Sequence, residues 1–420
     1  MCLLALCLLP PPFLCFSQPD TLIHSNSSNS NNHNSNPTLP LLFSTTNREM
    51  LSFQNKLIYL NHSPEDARTE VITPTQFGLT YEDVYLTTED GVRIHAYLIL
   101  SGRQRHRRFI TKPQQQQQQQ QQQPCPTIIL FHGNGGNLGY NLPLVQRILD
   151  KLPNCNMFML SYRGYGHSEG TPDEQGLKLD VSAAIAYIKN HPEINPRSTA
   201  IAEPAGTADA SSAAPYLSPL IVYGHSLGGA VAIDCVARHP PGTFNGLIVE
   251  NTFTTMADII HHLIPITRYL PPFVLTQKWE SIEKIKSVRS LKGLPMLFLS
   301  GCKDELIPQA MVKKLCEAAK ETAAEDDRLA TLAQANGSAG ANGPSTSAAW
   351  SISTKLMTMC SSISRDENDS VINNDASTTA RRPDRIWWRE FPYGTHNDTY
   401  DQPGYVEAIA EFVNTFVPSS

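Results

Sequence analysis

Positive charge is in short supply: 33 Lys and Arg stand against 39 Asp and Glu, for a net charge of −6. Such a balance leaves no basic footprint for a nucleic-acid partner. The nine cysteines are odd in number and include no C-x-x-C pair, which argues against both a structural zinc site and a disulfide framework. They read as mostly reduced thiols, as in a domain that faces the cytosol. Long apolar runs are missing too. Met1 to Phe16 is apolar, but Pro10, Pro11 and Pro12 break it well short of the ~20 residues that span a bilayer. No Lys or Arg precedes Arg48, so the basic flank of a secretory signal is absent. Two readings stand for this segment: a signal-like or truncated piece, or a membrane anchor helped by acylation of Cys2, Cys7 or Cys15.

What is present is a regular alternation of strand and helix patterns interrupted by polar stretches. Residues 1–50 read as the apolar segment plus an Asn/Ser-rich linker, and residues 51–420 as one domain. Three inserts, at 101–125 (with an unbroken glutamine run), 202–218 and 323–382, are too polar to offset the entropy of ordering and are expected to be disordered. Without them, eight strand candidates remain: 81–87, 93–100, 127–132, 156–162, 219–223, 246–250, 295–300 and 386–391. Helical patterns fit 141–152, 173–190, 227–239, 308–319 and 403–416. The middle strands are continuous apolar runs (TIILF, LIVY, MLFLS), as expected of a parallel sheet covered on both faces.

Gly224-His225-Ser226-Leu227-Gly228 follows one such strand and opens a helical pattern. A serine on that sharp turn projects its hydroxyl over the sheet edge, with a helix N-terminus behind it. His132-Gly133-Asn134-Gly135-Gly136-Asn137 follows the strand TIILF, where a second donor loop belongs. The backbone N–H groups of Asn134 and Leu227 are therefore assigned to an oxyanion hole. An acid and a histidine must follow in that chain order. Asp304, directly after MLFLS, is the acid; Glu305 is its neighbour, and Glu250 is a further carboxylate at a strand end. A helix-capping role is the plain alternative for Asp304. His396, after the strand IWWREF and before the last helix, is the base. His132 and His225 are expected to act only through their backbone. Between the sixth and seventh strands lies ADIIHHLIPITRYLPPFVL, read as a small cap whose Ile259, Leu263 and Ile266 would meet an acyl chain.

The strings FQNKLIY (53–59), FHGNGGN (131–137), SYRGYGHSEG (161–170), GHSLGGAVAI (224–233), ENTFTTM (250–256), SGCKDELIP (300–308) and PYGTHNDTY (392–400) resemble one branch of the α/β-hydrolases. That branch holds alpha/beta-hydrolase-domain-containing protein 13 and its fungal bud-emergence (Bem-like) relatives. The resemblance implies the α/β-hydrolase fold and a charge relay of Ser226, Asp304 and His396. It also implies a membrane-associated acyl hydrolase, with protein palmitoyl thioesters the leading substrate. Where relatives often carry Arg before the serine, this chain has His225. A lipid esterase or lipase, a catalytically silent membrane scaffold and a peptidase are the alternatives. The expected partners are an acylated protein or lipid and a membrane surface, with no nucleic acid, no cofactor and no metal. A glycan at the Asn397 sequon would crowd His396, which favours a cytosolic face for the catalytic domain.

Overall fold

A computed structural model describes residues 54–102, 125–195, 218–287, 291–338 and 384–417, with side chains as far as 332 in the fourth span. The N-terminal segment and its linker, the glutamine run and nearly all of the 202–218 insert lie outside the described residues.

The apolar runs form strands because β-branched and aromatic side chains fit a pleated surface buried on both faces. They are β1 (Glu82–Thr87), β2 (Arg93–Ile99), β3 (Thr127–Phe131), β4 (Asn156–Leu160), β5 (Leu220–His225), β6 (Gly246–Glu250), β7 (Met296–Gly301) and β8 (Ile386–Phe391). They make one eight-stranded sheet in the order β1-β2-β4-β3-β5-β6-β7-β8. The β1–β2 and β2–β4 pairings are antiparallel; every other pairing is parallel. This is the α/β-hydrolase fold.

Successive side chains of a strand face opposite ways, and two cores result. Ile129, Phe131, Phe158 and Val222 pack with helices α2 (Glu174–Asn190), α3 (Leu227–Arg238) and the start of α6 (Gln309–Ser338). Ile128, Leu130, Met157 and Ile221 pack with α1 (Leu142–Lys151) and α7 (Tyr405–Phe416). Two short helices, α4 (Met256–Leu263) and α5 (Ser281–Ser287), lie between β6 and β7. Across the SYRGYG loop, the buried Arg163 guanidinium bonds Asp180 of α2 at 2.9 Å and Asp90 of the β1–β2 turn at 2.7 and 2.9 Å. That pairing ties the antiparallel edge to the parallel body.

One expectation is corrected. The composition from Ala323 onward predicts disorder, yet α6 continues through it to Ser338. Its Ala, Leu, Glu, Gln and Arg content, which reads as polar filler, is also a strongly helix-forming composition. Arg385, just before β8, secures this extension by donating to Asp327 Oδ1 (3.0 Å) and to the Ala323 carbonyl (2.8 Å). The remainder of that insert, up to residue 382, lies outside the described residues.

Candidate active site

Ser226 occupies the turn between β5 and α3 with φ 56° and ψ −119°. A positive φ on a residue with a Cβ costs on the order of 1–3 kcal/mol, so neighbouring structure must hold it. β6 and the segment after it do so. The Ser226 N–H donates to the Glu250 carbonyl at 2.9 Å, and the Ser226 carbonyl accepts from Thr252 Oγ1 at 2.7 Å. The flanking glycines are a packing requirement. A Cβ on Gly224 would lie 2.0 Å from the Gly228 carbonyl oxygen, and one on Gly228 2.0 Å from that of Phe131.

The three residues assigned as nucleophile, base and acid come together. His396 Nε2 lies 3.0 Å from Ser226 Oγ, and His396 Nδ1 lies 2.8 Å from Asp304 Oδ2. An ionised carboxylate only accepts, so Nδ1 carries the ring proton and Nε2 is left to accept from the hydroxyl. The other Asp304 oxygen accepts from the N–H groups of Leu306 (2.9 Å) and Ile307 (2.8 Å). This is an Asx turn, with α6 starting only at Gln309. Glu305 reaches only the backbone N–H of His396, at 3.4 Å. Ser226, His396 and the Asp304 side chain are all nearly withdrawn from solvent.

The Asn134 side chain bonds back to the segment before β1, with Oδ1 accepting from Leu60 N–H (3.0 Å) and Nδ2 donating to the Ile58 carbonyl (2.6 Å), and across to the loop after β4, with Oδ1 also accepting from the Tyr165 hydroxyl (2.7 Å). The Gly136 N–H adds a bond to the Ser63 carbonyl at 2.7 Å. These bonds hold the loop so that Gly133 sits against the nucleophile, where a Cβ would come within 3.5 Å of Ser226 Cβ. Among the described residues, the backbone N–H groups of Asn134 and Leu227 donate to no protein acceptor. Both remain available to a developing oxyanion.

Two further side chains join the site, those of Asn251 and His225. Asn251 is fully buried at φ 43°, in the left-handed region that asparagine tolerates better than most residues. Its Nδ2 points at the carbonyls of Thr395 and His396 (both 3.2 Å) and at Thr399 Oγ1 (3.0 Å), while its Oδ1 accepts from Gly301 N–H (2.9 Å). One side chain thus joins the ends of β6 and β7 to the loop carrying the base. The ENTF string carried the signal, since an Asn between a strand end and two threonines suits a left-handed junction. His225 corrects a second expectation: its ring, not its backbone, takes part. Its Nε2–H donates to the His396 carbonyl at 2.8 Å. Burial, reinforced by the neighbouring His396, pushes its pKa down to about 3, so it stays a neutral donor. His132 is local, its Nδ1–H bonding the Gly133 carbonyl at 2.8 Å, and burial holds its pKa down to about 4.

Glu250 is not an alternative acid, because its carboxyl bonds the Tyr223 hydroxyl among buried residues on the α7 face. Tyr223 in turn bonds Tyr405 at 2.8 Å. Burial pushes the Glu250 pKa up to about 7, against the opposing pull of the two hydroxyls.

The cap divides into two faces, which overturns part of the expectation for it. Ile259 is buried in the core, but Leu263 and Ile266 point to solvent. A cavity of about 370 Å³ is walled instead by Ile260, Leu270, Val274 and Leu275, with Gln54 and Arg268 at its margin. Its walls include none of Ser226, Asp304 and His396.

A family model described as serine aminopeptidase, S33 matches residues 122–275, a span holding the 132–137 loop, Ser226 and the cap. The chain is 34% identical over 275 residues to Protein bem46 of Schizosaccharomyces pombe, covering 65% of this chain and 78% of that one. It is 33% identical over 277 residues to the Alpha/beta hydrolase domain-containing protein WAV2 of Arabidopsis thaliana, covering 63% and 75% respectively. It is 29% identical over 265 residues to a Saccharomyces cerevisiae protein termed Uncharacterized membrane protein YNL320W, covering 63% and 77%.

Two outcomes are expected from this geometry. Asn251→Gly keeps the left-handed backbone but frees the His396 loop, so kcat on a small chromogenic ester should fall by about 10²-fold with KM little changed. An unchanged kcat would remove Asn251 from any positioning role. Glu250→Gln should change how stability depends on pH. The folded state keeps the Glu250 proton between its ordinary 4.5 and about 7 while the unfolded chain has released it, so this residue's contribution to stability falls as pH rises through that window. Relative to the parent chain, the Gln variant should therefore gain about 1–3 kcal/mol between pH 4.5 and pH 8, read from urea midpoints.

Proposed function

Because this chain belongs to the Bem46 family of α/β-hydrolases, we propose that it is a serine hydrolase cleaving long-chain carboxylic esters or thioesters, protein palmitoyl thioesters among them. The observation that carries this reading is the continuous hydrogen-bonded path from Ser226 Oγ through His396 to Asp304.

In the proposed reaction the Ser226 hydroxyl attacks the acyl carbonyl as its proton passes to His396 Nε2. Asp304 stabilises the imidazolium through Nδ1–H. The tetrahedral oxyanion takes the Asn134 and Leu227 N–H groups, each worth roughly 3 kcal/mol at the transition state. Collapse expels the thiol or alcohol, which leaves with the proton from His396. Water then enters, loses a proton to the same nitrogen, attacks the acyl-enzyme and restores Ser226. No cofactor is needed, because every proton and electron pair moves between serine, histidine, water and substrate. His225 and Asn251 hold the His396 backbone while its ring changes charge.

The acyl-chain preference draws support from the cap cavity, whose volume of about 370 Å³ falls in the range of ~300–1,000 Å³ typical of ligand pockets. A membrane setting draws support from the yeast relative termed a membrane protein. Among the described residues, no helix is long and apolar enough to cross a membrane.

Ser226→Ala should abolish labelling by a fluorophosphonate probe and lower ester turnover on the order of 10⁴-fold while leaving the circular dichroism spectrum unchanged. Retention of a tenth of parent activity would exclude Ser226 as nucleophile. Across a thioester series from acetyl to palmitoyl, kcat/KM should climb and then level off, since each methylene taken into an apolar wall contributes about 0.8 kcal/mol. Ile260→Ser with Leu275→Ser should flatten that climb and spare the acetyl substrate. A preference for acetyl over octanoyl would defeat the long-chain reading, and faster cleavage of aminoacyl amides than of any ester would favour a peptidase.

A further inference from the structure

The strands β3 to β8 run parallel, so the loops that follow them share one end of the sheet. Exposed apolar side chains gather there. On the cap, Leu263, Ile266, Tyr269 and Phe273 are 43, 56, 85 and 80% exposed; on the loops that carry Asp304 and His396, Leu306 and Tyr393 are 41 and 70% exposed. Large apolar residues scattered singly on a surface are ordinary, but six of them on three loops at the same end of the sheet set that end apart as an apolar patch.

Two further observations say what covers this patch. Cations stand among the apolar groups: Lys303 Nζ lies 4.9 Å over the Tyr393 ring, and Arg268, next to Tyr269, has no ion-pair partner among the described residues. The chain also joins the domain here. Gln54, the first described residue, donates to the Val274 carbonyl (2.7 Å) and accepts from Thr276 N–H (2.9 Å), directly beside Phe273. The apolar residues Met1 to Phe16 precede that junction in sequence.

We propose that this end of the sheet is a lipid-docking face. Leu263, Ile266, Tyr269 and Phe273 enter the interfacial layer of an anionic bilayer, with Arg268 and Lys303 against its headgroups. Aromatic rings at headgroup depth and cations facing anionic lipid are the chemistry of interfacial binding. A two-fold contact centred on the cap would instead set these cations against their own copies. This face deepens the serine-hydrolase reading and rests on it, because docking here brings the end of the sheet that carries Ser226 against lipid-borne acyl groups; binding itself needs no turnover.

The full chain is floated with vesicles of phosphatidylcholine alone or with about 30% phosphatidylserine. The parent chain should float with the anionic vesicles, and Tyr269→Ser with Phe273→Ser should lower the bound fraction by about tenfold. Leu329→Ser with Leu332→Ser, at exposed positions on the far part of α6, should change nothing. Equal flotation of the two double variants would overturn the proposal, because the upstream residues alone would then hold the vesicle. So would failure of the parent chain to float, or a solution dimer lost in the Tyr269/Phe273 variant without any flotation. Fluorophosphonate labelling without vesicles reads the serine-hydrolase assignment separately.

Discussion

Everything at the site depends on one strained turn. Ser226 can hold φ 56° only because β6 runs alongside, offering the Glu250 carbonyl to its N–H and the Thr252 hydroxyl to its carbonyl. The turn also needs backbones closer than a side chain permits, since a Cβ at 224 would strike the Gly228 carbonyl and one at 228 that of Phe131 at the end of β3, which is why glycine stands at both positions. The serine hydroxyl is thereby aimed by the sheet, not by a loop. A rigid scaffold is what lets hydrogen-bond geometry at a nucleophile persist without being rebuilt at each turnover.

The same short segment governs the base. Glu250, Asn251 and Thr252 are consecutive, yet they act on three different parts of the molecule. Glu250 bonds the elbow through its backbone and the tyrosines on the α7 face through its side chain. Asn251 grips the His396 loop, and Thr252 grips the elbow again. The acid loop and the base loop are further zipped together, with the Lys303 N–H donating to the Gly394 carbonyl at 2.9 Å. Ser226, His396 and Asp304 therefore share one backbone network. None of the inserts at 101–125, 202–218 and 323–382 contains a residue of that network, although the last begins within α6.

The cap shows how one apolar segment can serve two environments. Its buried side chains face the core and the cavity, while Tyr269 and Phe273 stand in solvent beside Arg268. The buried Trp279 indole N–H donates to the Tyr59 hydroxyl at 3.1 Å, and Tyr59 donates to Gln277 Oε1 at 2.8 Å, anchoring the returning strand of the cap to the segment that enters the domain. Proline at 265, 271 and 272 interrupts any long helix, so the cap folds as short turns with side chains directed both ways.

The order of the elements, and the choice of Ser226, Asp304 and His396 as the groups that come together, were legible in the sequence alone. Apolar runs such as TIILF can be satisfied only by burial on both faces, and G-x-S-x-G between a strand and a helix leaves little choice for the turn's geometry. Local chemistry was enough because each of these signals is complete within a few residues. Three features were decided only by the tertiary structure. Helix α6 runs past Ala319 because Arg385, far along the chain, secures a composition that alone was equally compatible with disorder. Leu263 and Ile266 face outward because the prolines turn the cap, which a count of apolar residues does not show. Asn251 and His225 work on His396 from 145 and 171 residues away, and hydrogen bonds across such separations leave no periodicity in the sequence to reveal them.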